Sequence, residues 1–500
     1  TAIICTVSGT TFSKGSDIKL ANSGDENGYS AYDSTEEQVV VAYRDVGNSN
    51  YGTAITITPA YTATNSSDFV GITNQAINNS ASGEVVVEGG VITNGSLLPF
   101  AYTGSLGSAA VYQSTATEYQ GIAFDSSNNK VVVAYKDDSN QHGTAAVGTV
   151  SGTGITWGTP VVFAAASTSY CDVVFDSSNN KVVIVYSDVA NSEYGTAIVG
   201  TVSGTSISFG SEVVFASAAT TLIRAAFDSN SNKVVVAYCD NGNSSYGTAI
   251  VGTVSGTSIS FGTEVVFDST GTLSAAFGGF VFDSTNNKIV IPYTRAVSHC
   301  IVGTVSGTSI SFGTKVDFGG TISGQNLSVA FDSNAGKVVI NYRDSNNSDY
   351  FGSLVGTVSG TSISFGTQLV IQEVHTTATS AFDSSDNQII YAYKDNSTST
   401  AYYRIGRVSG TSISYDSASA LTSGNLAYMD STFDSSQNTT VIIYKDVANS
   451  NYGTAKGLQV TGAVPNFTIG STYYVQDDGT LATTSSSVTA GKAIANTTLL

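Results

Sequence analysis

At 500 residues the chain exceeds the usual span of one hydrophobic core, so two or more cores or a repeat array are expected. It carries 38 acidic against 19 basic residues, a net charge of −19, and that balance excludes a phosphate-backbone binder and docking on anionic lipid. Hydrophobic residues make up 41% and charged residues only 11%, so a large interior under a neutral, Ser/Thr/Asn/Gly-rich surface is expected. No apolar run approaches the roughly 18 residues of a membrane helix, so no membrane insertion is expected.

Taken in chain order, residues 1–58 are repeat material in permuted order. "TAIICTVSGTTFSKG" reads as the last two strands of one unit, and "YSAYDSTEEQVVVAYRDVGNSNYGTAI" as the first strands of another. The chain opens at Thr1 inside that phrase, so further sequence upstream is expected. Residues 59–97 read as half of a small β module, residues 98–457 as seven repeats, and residues 458–500 as a C-terminal β module.

The repeat is marked by Phe-Asp pairs beginning at Phe124, Phe175, Phe227, Phe282, Phe331, Phe382 and Phe433, spaced 49 to 55 residues apart, with an outlier at Tyr32. One period divides into four strand-like runs: "SYCDVVF", "KVVIVYSD", "TAIVGTVSG" and "TSISFGSEVVF". They are rich in Val, Ile, Thr and aromatics and are bounded by Asn, Asp, Ser and Gly. "DSSNN" and "VSGTS" carry tight-turn chemistry, where Asn and Gly tolerate positive φ. No segment shows a 3.6-residue period. The expected fold is all-β, a seven-bladed β-propeller plus small β modules, with eight blades or an open β-repeat stack as alternatives. The last copy lacks its "TSISFG" strand, and residues 98–112 are the candidate to supply it.

In such an arrangement the loops between second and third strands, and between fourth and first, emerge on one face. Those segments vary most between copies, so the binding face is placed there. The phrase Asp-x-x-Asn-Ser-x-Tyr-Gly recurs on it, as in Asp188/Asn191/Tyr194, Asp240/Asn243/Tyr246 and Asp344/Asn347/Tyr350. Two readings stand. Tyr194, Tyr246 and Tyr350 can stack on a sugar ring; or Asp caps its own loop, Gly takes a special backbone angle and Tyr covers the strand end. Two copies depart from the phrase, "YTRAVSHC" with Arg295 and "YKDNSTSTAYYRIGR" with Tyr402, Tyr403, Arg404 and Arg407. Arginine beside aromatics suits an acidic sugar or carboxylate, or else a local ion pair.

No cofactor is expected. Ca²⁺ is the one metal to consider, but a single Asp with one or two Asn per loop falls short of a cage. Cys5, Cys171, Cys239 and Cys300 are scattered at small-residue positions and read as buried free thiols. There is no Gly-x-Ser-x-Gly, no His-Glu-x-x-His and no marked carboxylate pair, so no enzyme is expected.

The phrases "YKDVANSNYGTA", "VGTVSGTSISFGT" and "FDSSNNKVVV" resemble repeats of tail-fibre and other virion appendage proteins of tailed bacteriophages, marine ones especially. "FTIGSTYYVQDDGTLATTSSSVTAGKAIANTTLL" (467–500) resembles a small β module that often ends such proteins, and "DFVGITNQAINNSASGEVVVEGGVITNGS" (68–96) its preceding half. In the family pattern the two halves are contiguous, whereas here the repeats separate them. The resemblance implies a virion-surface, extracellular protein for host attachment and receptor binding. Its implied partners are a host-surface glycan or protein and other virion proteins, with self-association open. The alternatives are a purely structural fibre or decoration component, and a cellular adhesin or filament subunit.

Overall fold

A computed structural model describes residues 102–462, apart from 272, 274–277 and 320–326. Outside that stretch it describes strands at 26–33, 38–45, 51–57, 472–475, 481–482, 488–495 and 498–499. The described residues are strands, joined by turns and three single-turn 3₁₀ segments, and the sheets are antiparallel throughout. The chain divides into two units, one of residues Tyr102–Thr461 and one of Thr1–Ala101 with Gly462–Leu500.

In the larger unit each copy is built alike. In the second, Lys181–Asp188 pairs with Tyr194–Ser203 on one side and with the end of Val161–Asp176 on the other. Every side chain from Val182 to Tyr186 is fully buried, as an unbroken apolar run demands of a strand covered on both faces. Burying each of these is worth about 1.5–3 kcal/mol. The turn before this strand is set by Asp176, whose Oδ1 accepts the N–H groups of Ser178 and Asn179. Asn180 then takes the left-handed φ of 53°, and Gly204 does the same at 61° in the next hairpin.

The fourth run differs from its expected form. It breaks into Ser206–Phe209 and then the 16-residue strand Val213–Asp228, whose first half pairs with Tyr194–Ala197 and whose second half is the first strand of the next copy. The variable stretches "AAASTSY" and "ASAATTLIR" are therefore strand, not loop. Small and β-branched residues let the chain bend there, where Thr220 is buried and its N–H donates to Glu193 O.

Residues 102–116 complete the last copy. Tyr102–Leu106 lies beside Tyr452–Gly462, and Ala110–Ala116 pairs with Tyr452–Ala455. The first strands of successive copies lie side by side in chain order, and that of the last, Leu426–Asp434, lies against Ala110–Asp125. Side chains join them. Asp172 Oδ2 accepts the N–H of Ala225 in the next copy, Asp430 Oδ2 accepts that of Ile122, and Ser328 and Thr379 bond to Ser380 and Ser431.

The smaller unit holds a three-stranded sheet, Glu26–Asp33, Gln38–Asp45 and Tyr51–Ile57, and a four-stranded sheet drawn from residues 472–499. The β-module half at 59–97 lies outside the described residues, as does Cys5. The boundary at 457/458 falls inside the strand Tyr452–Gly462.

Candidate functional site

The Asp-x-x-Asn-Ser-x-Tyr-Gly loops are built by their own side chains. Asp188, Asp240 and Asp344 each precede a single 3₁₀ turn and accept backbone N–H groups from it. The left-handed residues are Ser192 and Glu193, Ser244 and Ser245, Ser348 and Asp349, not the glycine. Gly195 has another purpose: a Cβ there would lie 2.6 Å from Cζ of Phe215. Tyr194, Tyr246 and Tyr350 are half-buried at the start of the third strands.

The deviant copies give a different result from a surface anchor. Arg404 is buried; its Nη2 donates to Glu373 Oε1 at 2.8 Å and its Nη1 to Asp416 O at 2.8 Å. Bonds first from His375 and then from Arg404 hold the Glu373 carboxyl down at about 2. Arg295 is buried with Nε 3.0 Å from Asp268 Oδ2. Arg407 pairs with Asp416. Tyr403 is buried and donates to Gly104 O, 3.3 Å away in the strand that completes the last copy. Tyr402 is half-buried against Tyr393. These side chains answer acidic or apolar neighbours within the fold. Arg295, Tyr403 and Arg404 are held by partners within the fold.

The chemistry gathers instead where the first strands meet. Five residues before the Phe of the Phe-Asp pair stand Tyr119, Tyr170, Leu222, Thr377 and Tyr428, with φ of 49°, 50°, 55°, 48° and 51°. Each sits at a break in strand register, a bulge that turns its side chain out of the ladder. A left-handed tyrosine costs on the order of 1–2 kcal/mol, strain that persists where a fold must aim a side chain. Three tyrosines collect: the Tyr119 ring lies 4.9 Å from Tyr170 and 5.5 Å from Tyr428.

Their setting is fixed by charge. Lys136 and Lys445 lie over the Tyr119 and Tyr428 rings at 5.9 and 5.6 Å, and both reach Glu118, at 3.4 and 3.3 Å. Gln120 holds the wall from below: its carbonyl accepts from Tyr112 and Thr117, and its amide donates to Tyr428 O. Burial and nearby Glu118 push Tyr428 up to about 12, so the phenols stay neutral donors. Leu222, Gly278, Leu327 and Ala378 line the other side among the described residues.

Below the rings, three residues before the same Phe, the copies read Gly121, Asp172, Arg224, Gly279, Ser328, Thr379 and Asp430. Asp172, Arg224 and Asp430 line a channel of about 340 Å³. Burial, and then the Asp172 carboxylate, push Asp430 up to about 7, and burial raises Asp172 as well. Arg224 is half-buried, and its Nη1 donates to Ile223 O at 2.8 Å. Neither the tyrosines nor this charged layer figured among the sequence candidates. Aligned copies do carry the signal, since this is the one inner-strand column where charge changes sign from copy to copy.

Among the described residues no three His, Cys, Asp or Glu side chains converge to hold a metal ion. Cys171, Cys239 and Cys300 are buried and free.

No protein-family model matches the sequence, and no curated protein matches it. Among solved structures the chain is similar to the BP39L lectin from Burkholderia pseudomallei, with a TM-score of 0.52 and 10% identity. The match covers 69% of this chain and 96% of that one. At that identity the likeness is one of fold.

Proposed function

We propose that the repeat body is a seven-bladed β-propeller that binds a glycan, without catalysis, at the mouth of its central channel. One observation carries this reading: strained bulges in successive copies bring Tyr119, Tyr170 and Tyr428 together above a charged floor. Sugar rings offer a C–H face to aromatic rings and hydroxyls to charged groups, and this mouth supplies both in one concave place. The lectin of like fold supports the same class of ligand. The resemblance of the repeat phrases to phage appendage proteins supports a virion surface as the setting in this reading, with a host polysaccharide as target and other virion proteins as neighbours.

Testing it needs a glycan array together with polysaccharide extracted from candidate host cells, probed with the full chain and with Tyr119→Ala. Saturable binding that the variant weakens at least tenfold is expected. A silent array and no polysaccharide binding would leave the chain as a structural component.

A further inference from the structure

Resting on that glycan reading, we infer that the saccharide bears a single carboxylate, as a hexuronic acid does, and that Arg224 receives it. The donors and acceptors of the channel floor decide this. Both oxygens of each aspartate already accept a backbone N–H. Asp172 takes those of Val173 and Ala225, and Asp430 those of Ser431 and Ile122. These two carboxyls staple neighbouring first strands, so their geometry is committed to the fold.

Arg224 is in the opposite condition. Among the described residues it is the only basic one lining the channel, and Nη1 alone makes a hydrogen bond, to its own strand. Among the described residues no carboxylate lies within ion-pair distance of it, in contrast to Arg295, Arg343, Arg404 and Arg407, which all have one. Nε and Nη2 are therefore unused donors facing a cavity. A planar guanidinium in that state matches a carboxylate bidentately.

The floor holds one cation, Arg224, beside the acids Asp172 and Asp430. A single carboxylate can be met by that one guanidinium, whereas the two charges of a phosphate monoester find no second cation there among the described residues. The tyrosine wall then takes the ring face, with Leu222, Leu327 and Ala378 on the other side.

The test compares pairs of methyl glycosides that differ only at C6: glucoside with glucuronoside, and galactoside with galacturonoside. Titration calorimetry at pH 6 on the full chain is run with wild type, Arg224→Gln and Arg224→Lys. At least one uronoside is expected to bind ten times or more tighter than its neutral partner. Arg224→Gln is expected to erase that ratio, and Arg224→Lys to restore part of it. The wild-type ratio reads out the inference even if a variant misfolds. Neutral glycosides binding as well as or better than their acids would overturn the carboxylate assignment and leave glycan binding intact. Binding of neither class, with a silent array, would overturn both.

Discussion

The pairing of a third-strand glycine with an aromatic, made by Gly143, Gly195, Gly247 and Gly453, can be tested by moving another copy's solution into one of them. In the second copy a Cβ on Gly195 would sit 2.6 Å from Cζ and 3.0 Å from Cδ2 of Phe215, closer still to Cε2. Phe215 is itself packed against Tyr238 and Phe261, at ring distances of 5.3 and 5.5 Å, so it has nowhere to retreat. Gly195→Ala is therefore expected to cost about 2–3 kcal/mol by overpacking. The sixth copy places Ala401 and Leu421 at these positions, both buried. Phe215→Leu alone should cost about 1–2 kcal/mol through lost ring contacts and a small cavity. The double variant Gly195→Ala/Phe215→Leu should cost no more than Phe215→Leu alone, a coupling of about 2 kcal/mol. Urea midpoints of the four proteins close the cycle. Additive losses would refute the claim that the glycine exists to admit the ring.

Other expectations follow from the same contacts. Tyr170→Ala should weaken glycan binding at least tenfold and cost about 1–2 kcal/mol of stability, since its half-buried ring packs on Tyr119 and on the core between the second and third copies. Asp188→Ala should lower stability by about 1 kcal/mol through loss of its bond to the Asn191 N–H, while binding measured by titration stays unchanged. Arg404→Met should cost about 2 kcal/mol by leaving Glu373 without its guanidinium and should not alter sugar affinity. The raised pKa of Asp430 sets a direction with pH. The folded state favours the protonated acid, so this group's contribution to stability is full below about 4 and is lost as pH rises through about 7. Over the upper part of that window the floor beside Asp172 and Arg224 gains negative charge. Uronoside affinity should fall from pH 6 to pH 8, and neutral glycosides should show no such trend.

The repeat made much of the architecture readable from sequence. Hydrophobic runs such as Val182–Tyr186 have nowhere to go but between two layers, and Asn and Gly fix the turns through backbone angles that few residues accept. The missing strand of the last copy pointed to residues just before the first, and 102–116 fill it. The site was harder to read, for a physical reason. Tyr194 and its equivalents stand out because they recur, but what recurs in every copy serves the scaffold. A central channel is formed by all copies at once, so its character lies in how one column differs between them: Tyr119 and Tyr170 against Leu222, or Asp172 against Arg224. Arg404 and Arg295 looked like anchors because they broke the pattern. Each in fact balances an acid, Glu373 or Asp268, contributed by the end of the preceding copy.

The most direct test of the account is a structure of the full chain with a glycan that binds it. The account predicts a sugar ring against Tyr119 and Tyr170 at the channel mouth, with a polar group turned toward Arg224. A sugar seated instead on the outer loops at Tyr194, Tyr246 or Tyr350, with the mouth empty, would contradict it.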